Sequence, residues 1–158
     1  MSAVSVDLAR SSRMRAPSPR ALGTWARAAL GPRVGTVELA VRLVPPGEIR
    51  RLNRDYRGKD TPTNVLSFPV PVQNDVRPRP LGDVVICPAV LRKEAREQGK
   101  TLRAHWAHLT VHGVLHLVGY DHEDDDDARR MERREIAVLR RLGFPNPYRS
   151  APRARRSR

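Results

Sequence analysis

A chain of 158 residues suits one domain with a real hydrophobic core, and no apolar stretch in it is long enough to cross a membrane. Its single cysteine, Cys87, excludes an internal disulfide and fits a reducing, cytoplasmic setting. The net charge of +13 lies mostly at the ends: residues 1–35 carry six Arg against one Asp, residues 149–158 carry five Arg and no acid, and the middle is left with only +3.

Such a charge favours polyanions, and nucleic acid is the commonest soluble one. The competing explanation is an arginine-rich chain with solvated ends. Arg10–Arg15 has the Arg- and Ser-rich composition of an organelle transit peptide, but no apolar core of a secretory signal accompanies it. Val4-Ser5-Val6-Asp7-Leu8 alternates as a strand does, so the N-terminus reads as part of the fold.

After this first strand, 4–9, a helix is expected over 18–30, with Leu22, Trp25, Ala26 and Ala29 on one side. Residues 37–44 alternate at period two and end at Pro45-Pro46-Gly47, which predicts a second strand. Ile49, Leu52 and Tyr56 then mark a short helix that Gly58 ends. Asn64–Pro69 and Leu81–Ile86 read as strands, joined by a polar, proline-bearing connector from Pro71 to Pro80. Cys87 follows as a small buried hydrophobe. Pro88 opens a helix running to about Gly99.

A longer helix over 102–118 is apolar on most sides beyond residue 108 and should be buried. A last helix covers about 125–142, with Ala128, Met131, Glu135, Val138, Leu139 and Leu142 at helical spacing. The order predicts a single α+β domain over 1–148: a small mixed four-stranded sheet packed with five or six helices, and a disordered basic tail at 149–158.

The chemistry concentrates in His112-Gly113-Val114-Leu115-His116-Leu117-Val118-Gly119-Tyr120-Asp121-His122. His112 and His116 share one helix face. Gly119 can end the helix in a left-handed conformation and let the chain return His122 to the same point. Three neutral imidazoles leave one position of a tetrahedral metal open, the arrangement of a catalytic zinc, although nickel, copper and iron also accept such ligands. His108 lies one turn back on the same face. His108 could substitute for a ligand or be a donor behind the ligands; three ligands in succession on one helix span too far for one ion at about 5.4 Å per turn, so His122 is preferred over His108 as the third ligand. His105 is read as structural or exposed.

The spacing is that of the zinc peptidase motif H-E-x-x-H-x-x-G-x-x-H, with one departure: Gly113 stands where those enzymes hold the glutamate base. A glycine cannot take a proton, so a peptidase of that type is disfavoured. Glu123–Asp127 is read as a helix cap opposing the dipole, in preference to a hard-cation site. Asp121, beside His122, can orient a ligand or a water. In the polar loop Tyr56–Asn64, Arg57 and Lys59 are cations, and a guanidinium fork suits phosphate oxygens. A loop facing the metal would let Arg57 hold a phosphodiester while a metal-activated water attacks phosphorus.

These residues resemble the YbeY family of bacterial endoribonucleases and rRNA maturation factors. His112–His122 looks like the family's defining motif, and Tyr56–Pro69, Leu81–Cys87 and Glu97–His108 match in order, so that the likeness spans about 4–148. The resemblance implies a zinc-dependent, single-strand-specific endoribonuclease acting in 16S rRNA 3′-end maturation and ribosome quality control. It implies one zinc per chain on His112, His116 and His122, and a need for Arg57. The partners it implies are rRNA and the small ribosomal subunit with its assembly factors; neither a membrane nor DNA is expected. The alternatives are a non-cleaving assembly factor with a structural metal and a metallopeptidase-like hydrolase. The arginine-rich end departs from the family, and no family function is carried onto it.

Overall fold

Alternation at period two sends Val37, Leu39, Val41 and Leu43 to one face of a strand, and all four are fully buried. That strand is the second of a four-stranded sheet in a computed structural model that describes residues 3–149. The strands are β1 (Ala3–Arg10), β2 (Thr36–Leu43), β3 (Val65–Pro69) and β4 (Arg79–Ile86). The helices are α1 (Pro19–Leu30), α2 (Pro46–Arg57), α3 (Pro88–Gln98), α4 (Leu102–Leu117) and α5 (Asp125–Arg141).

The sheet order is β1-β2-β4-β3. β1, β2 and β4 are parallel, and β3 returns antiparallel along β4 at the edge. The expected α+β domain with a small mixed four-stranded sheet is therefore present, with five helices. β1 pairs with β2 along its whole length, so the N-terminal segment belongs to the fold.

The main core joins the Val37–Leu43 face to Leu22, Trp25 and Ala26 of α1, to Trp106, Val111 and Leu115 of α4, and to Met131 and Val138 of α5. A smaller cluster on the opposite face seats Ile49 of α2 on Leu66, Val85 and Cys87. Cys87 is buried and unpaired. α4 lies between the sheet and α5 and is buried from His105 through Val111, as its all-round apolarity predicts.

Three local expectations shift. The connector is shorter, because β4 already starts at Arg79 and pairs with β2 there. β3 begins at Val65 instead of Asn64, whose side chain is used to tie the loop before it. Tyr56 does not share the buried face of Ile49; it is 69% exposed. His105 is structural, the first of its two expected roles: it is buried, with Nε2 3.0 Å from Glu94 Oε1. Of the basic tail, Arg149 is described and the remainder lies outside the described residues. Among the described residues no helix is long and apolar enough to cross a membrane.

Candidate metal centre and cleft

The end of α4 is built by its glycine. Gly119 sits at φ +102°, where its N–H donates to the His116 carbonyl at 3.2 Å and the next N–H, of Tyr120, donates to the Leu115 carbonyl at 3.0 Å. This is the paired bonding of a left-handed helix stop, and it turns the chain back over the last turn of α4. His122 then meets His112 and His116. Ring centroids lie 4.7 Å apart for His112 and His116, 4.9 Å for His116 and His122, and 5.9 Å for His112 and His122. One nitrogen from each of the three lies within 4.8 Å of the others. The three expected ligands are thus brought together.

A second group, His108, His112 and Glu135, is equally close. It is better understood as support for the first. Glu135 is 1% exposed, and a buried carboxylate requires donors. His112 Nδ1 lies 3.1 Å from its Oε1, His108 Nε2 2.6 Å from its Oε2, and the Tyr148 hydroxyl donates to Oε2 at 2.9 Å. Burial pushes the Glu135 carboxyl up, but the hydrogen bonds from His108 and His112 outweigh it and bring it down to about 2. An ionised carboxylate only accepts, so both ring nitrogens donate. That leaves the His112 Nε2 lone pair free for a metal, the histidine–carboxylate arrangement common behind metal ligands.

His116 is driven to its neutral form by burial first and then by His112 and His122, which together push it down to about 4. An uncharged imidazole is the form that ligates. Burial likewise holds His108 below its ordinary value, against the pull of Glu135. Asp121 is half exposed; its Oδ1 accepts from the His122 backbone N–H at 2.7 Å and lies 3.5 Å from His122 Nδ1. It pins the turn that presents His122, and that backbone hydrogen bond holds its carboxyl below the usual range. Three imidazoles, one with its tautomer set and one held neutral, form a donor set that fits a divalent transition metal.

Gly113 has a packing reason. A Cβ at this position would lie 2.6 Å from Val84 Cγ1 and 3.1 Å from Val84 Cγ2, in the fully buried floor of the sheet. α4 therefore crosses β4 so closely that a glutamate side chain has no room. The Ser67 hydroxyl donates to the Gly113 carbonyl at 2.8 Å and binds β3 to the same turn. Glu123–Asp127 acts as expected: Asp124 caps α5, its carboxylate accepting from the Asp127 N–H at 2.8 Å.

The three histidines line a cleft of about 940 Å³ together with Tyr56, Arg57, Lys59 and β3. The loop from Gly58 to Asn64 is tied along its length. Arg50 bonds both oxygens of Asp60, at 2.9 and 3.3 Å, the Asn53 amide donates to the Thr61 carbonyl at 2.9 Å, and the Asn64 amide donates to Glu94 at 3.0 Å. Among the described residues, neither Arg57 nor Lys59 is paired with a carboxylate. Both cations are free to meet an anion in the cleft.

Sequence reasoning placed Glu135 only as one member of the α5 spacing, and it passed over Tyr148. The available signal was a carboxylate on the apolar stripe of Met131, Val138 and Leu139, a position that demands a partner.

The comparisons with known proteins agree with one another. The family model described as endoribonuclease YbeY matches residues 20–143. Endoribonuclease YbeY of Pseudomonas fluorescens strain Pf-5 is 52% identical over 144 residues, covering 90% of this chain and 95% of that protein. Its namesake from Pseudomonas entomophila strain L48 is 51% identical over 144 residues, covering 90% and 92%. The solution structure of TM1509 from Thermotoga maritima matches with a TM-score of 0.58 at 28% identity, covering 87% of this chain and 88% of that one. With a matching family model over most of its length and relatives at half identity, this chain belongs to the YbeY family of endoribonucleases.

Proposed function

We propose that this chain is a zinc-dependent, single-strand-specific endoribonuclease that acts in the cytoplasm on the 3′ end of 16S rRNA and in ribosome quality control. Membership of the family makes it a hydrolase acting on RNA. The observation that carries the finer reading is the shared cleft, lined by three convergent imidazoles and by an arginine with no carboxylate partner among the described residues.

In this reading His112, His116 and His122 hold one zinc ion. A zinc in such a donor set supplies Lewis acidity and a water that is nucleophilic near neutral pH. The chain's own residues do the rest. Glu135 keeps the His112 ring in the ligating tautomer. Burial keeps His116 uncharged. Asp121 holds the His122 turn and stands near enough to the ligands to orient a water. Arg57 holds the non-bridging oxygens of a phosphodiester, positions it and offsets the negative charge on those oxygens as the attack proceeds. Small-subunit rRNA and its assembly factors are the proposed partners, and the chain's charge of +13 supports a polyanionic one.

The test is cleavage of a single-stranded RNA by the parent chain, Arg57→Ala and His116→Ala, with metal content measured on each. The parent should cut and both variants fail, with metal retained in Arg57→Ala and lost in His116→Ala. Equal cutting by all three would betray a contaminant and sink the proposal. A full rescue of ribosome maturation by Arg57→Ala would favour an assembly factor that does not cut.

A further inference from the structure

We propose that Tyr56 is a nucleobase subsite: its ring stacks one base of the RNA strand whose phosphate Arg57 holds. This rests on the ribonuclease reading of the same cleft and adds to it a contact that selects single strands.

The argument begins with a misplaced aromatic. Helical spacing groups Tyr56 with Ile49 and Leu52, yet Ile49 is fully buried and Tyr56 is 69% exposed. A lone exposed aromatic would call for no explanation. This one lines the same cleft as Arg57, Lys59 and the three histidines. It is also braced: Phe68 of β3 meets it edge to face, with centroids 4.9 Å apart and planes at 68°. Phe68 in turn packs on the smaller core, so the brace is anchored.

The chain is poor in aromatics, at 4%, and most of its rings are committed elsewhere. Trp25 and Trp106 are in the core, and Phe144 packs on Trp25. Tyr148 bonds Glu135, and Tyr120 packs against the main cluster. Of the large apolar side chains exposed among the described residues, Tyr56 is the most exposed.

A tyrosine has only two side-chain torsions to fix on contact, and the Phe68 edge limits them further. Bases in a single strand offer open faces that stack on aromatic side chains, whereas bases in a duplex are already stacked on one another. The free cations beside it complement the backbone of the same strand. A ring for the base and a guanidinium for the phosphate, on consecutive residues, form the two halves of a nucleotide site.

The test is RNA binding by fluorescence anisotropy across a range of salt, on a His116→Ala background so that bound strands are not cut. Added to it are Tyr56→Ala, Tyr56→Phe and Arg57→Ala. Tyr56→Ala should weaken binding of a short single-stranded RNA by about 5- to 150-fold, the worth of one stacked base, with an unchanged salt slope. Tyr56→Phe should retain parental affinity. Arg57→Ala should instead flatten the salt slope by about 0.7, one phosphate contact on a single strand. On an abasic strand, or on duplex RNA, Tyr56→Ala and its parent should bind alike. Equal binding of single strands by Tyr56→Ala and its parent overturns the subsite alone, as does an equal loss in Tyr56→Phe. Failure of the parent to bind any RNA overturns the ribonuclease reading itself, and the subsite with it.

Discussion

Glu135 Oε1 accepts a hydrogen bond from His112 Nδ1 at 3.1 Å, while its other oxygen is held by His108 and Tyr148. One buried carboxylate on α5 thus sets the ring orientation of a histidine on α4. Glutamine at 135 keeps the size but can accept through one oxygen only, and its amide would face a ring N–H. Glu135→Gln should weaken metal binding by roughly 10- to 100-fold while leaving the far-ultraviolet circular dichroism unchanged. Competition against a chromophoric chelator checks it; parental affinity in the variant would remove Glu135 from the metal centre.

Gly113→Ala is a test of packing against propensity. Alanine in a helix interior ordinarily gains about 1 kcal/mol over glycine. Here the added methyl would press on Val84, which is fully buried and stiff at χ1. Overpacking costs about 1–3 kcal/mol, so the net effect should be a loss of stability, read as a lowered Tm. A raised Tm would show that β4 can yield at this crossing.

The metal-free protein should weaken as pH falls, in two stages. His116 has a folded value of about 4 against an ordinary 6.5, so between those limits the unfolded state binds more protons and stability declines with falling pH. Glu135, at about 2 against 4.5, contributes stability that is complete above 4.5 and is lost as pH falls toward 2. Urea denaturation at pH 7, 5.5 and 4.5 would show the first stage. His116→Gln should flatten it, and a slope unchanged by that substitution would place the proton uptake elsewhere.

Arg57→Lys separates charge from shape. Lysine keeps the cation and loses the planar fork that grips two oxygens at once. If Arg57 clamps a phosphodiester, Arg57→Ala should cut RNA roughly 100-fold more slowly or worse, with metal content unchanged. Arg57→Lys should recover only part of that rate. Full activity in the lysine variant would reduce the residue to a point charge.

Much of the centre was legible because its signals are local. His112, His116, Gly119 and His122 lie within one helix end, and fixed helical geometry turns their spacing into convergence. β1 and β2 could be read for the same reason, from alternation. Glu135 could not be paired in advance, because its partners lie 27 and 23 residues away and meet it only once α4 and α5 have packed. Gly113 read as a missing base; its reason, Val84, sits on another strand. Tyr56 followed the helical period faithfully and still fell outside the core, since a period records direction and not what lies there to receive the side chain.

The hydrogen bond from Ser67 to the Gly113 carbonyl has a further meaning for the cleft. It rivets the edge strand, and with it the Phe68 brace, to the very turn of helix that begins the histidine run. The same glycine lets the helix lie close against Val84 of the neighbouring strand, β4. The β3 side of the cleft is therefore positioned by packing that forms when the chain folds. A strand entering the cleft would meet Phe68 on an edge strand already tied to the helix that carries His112 and His116.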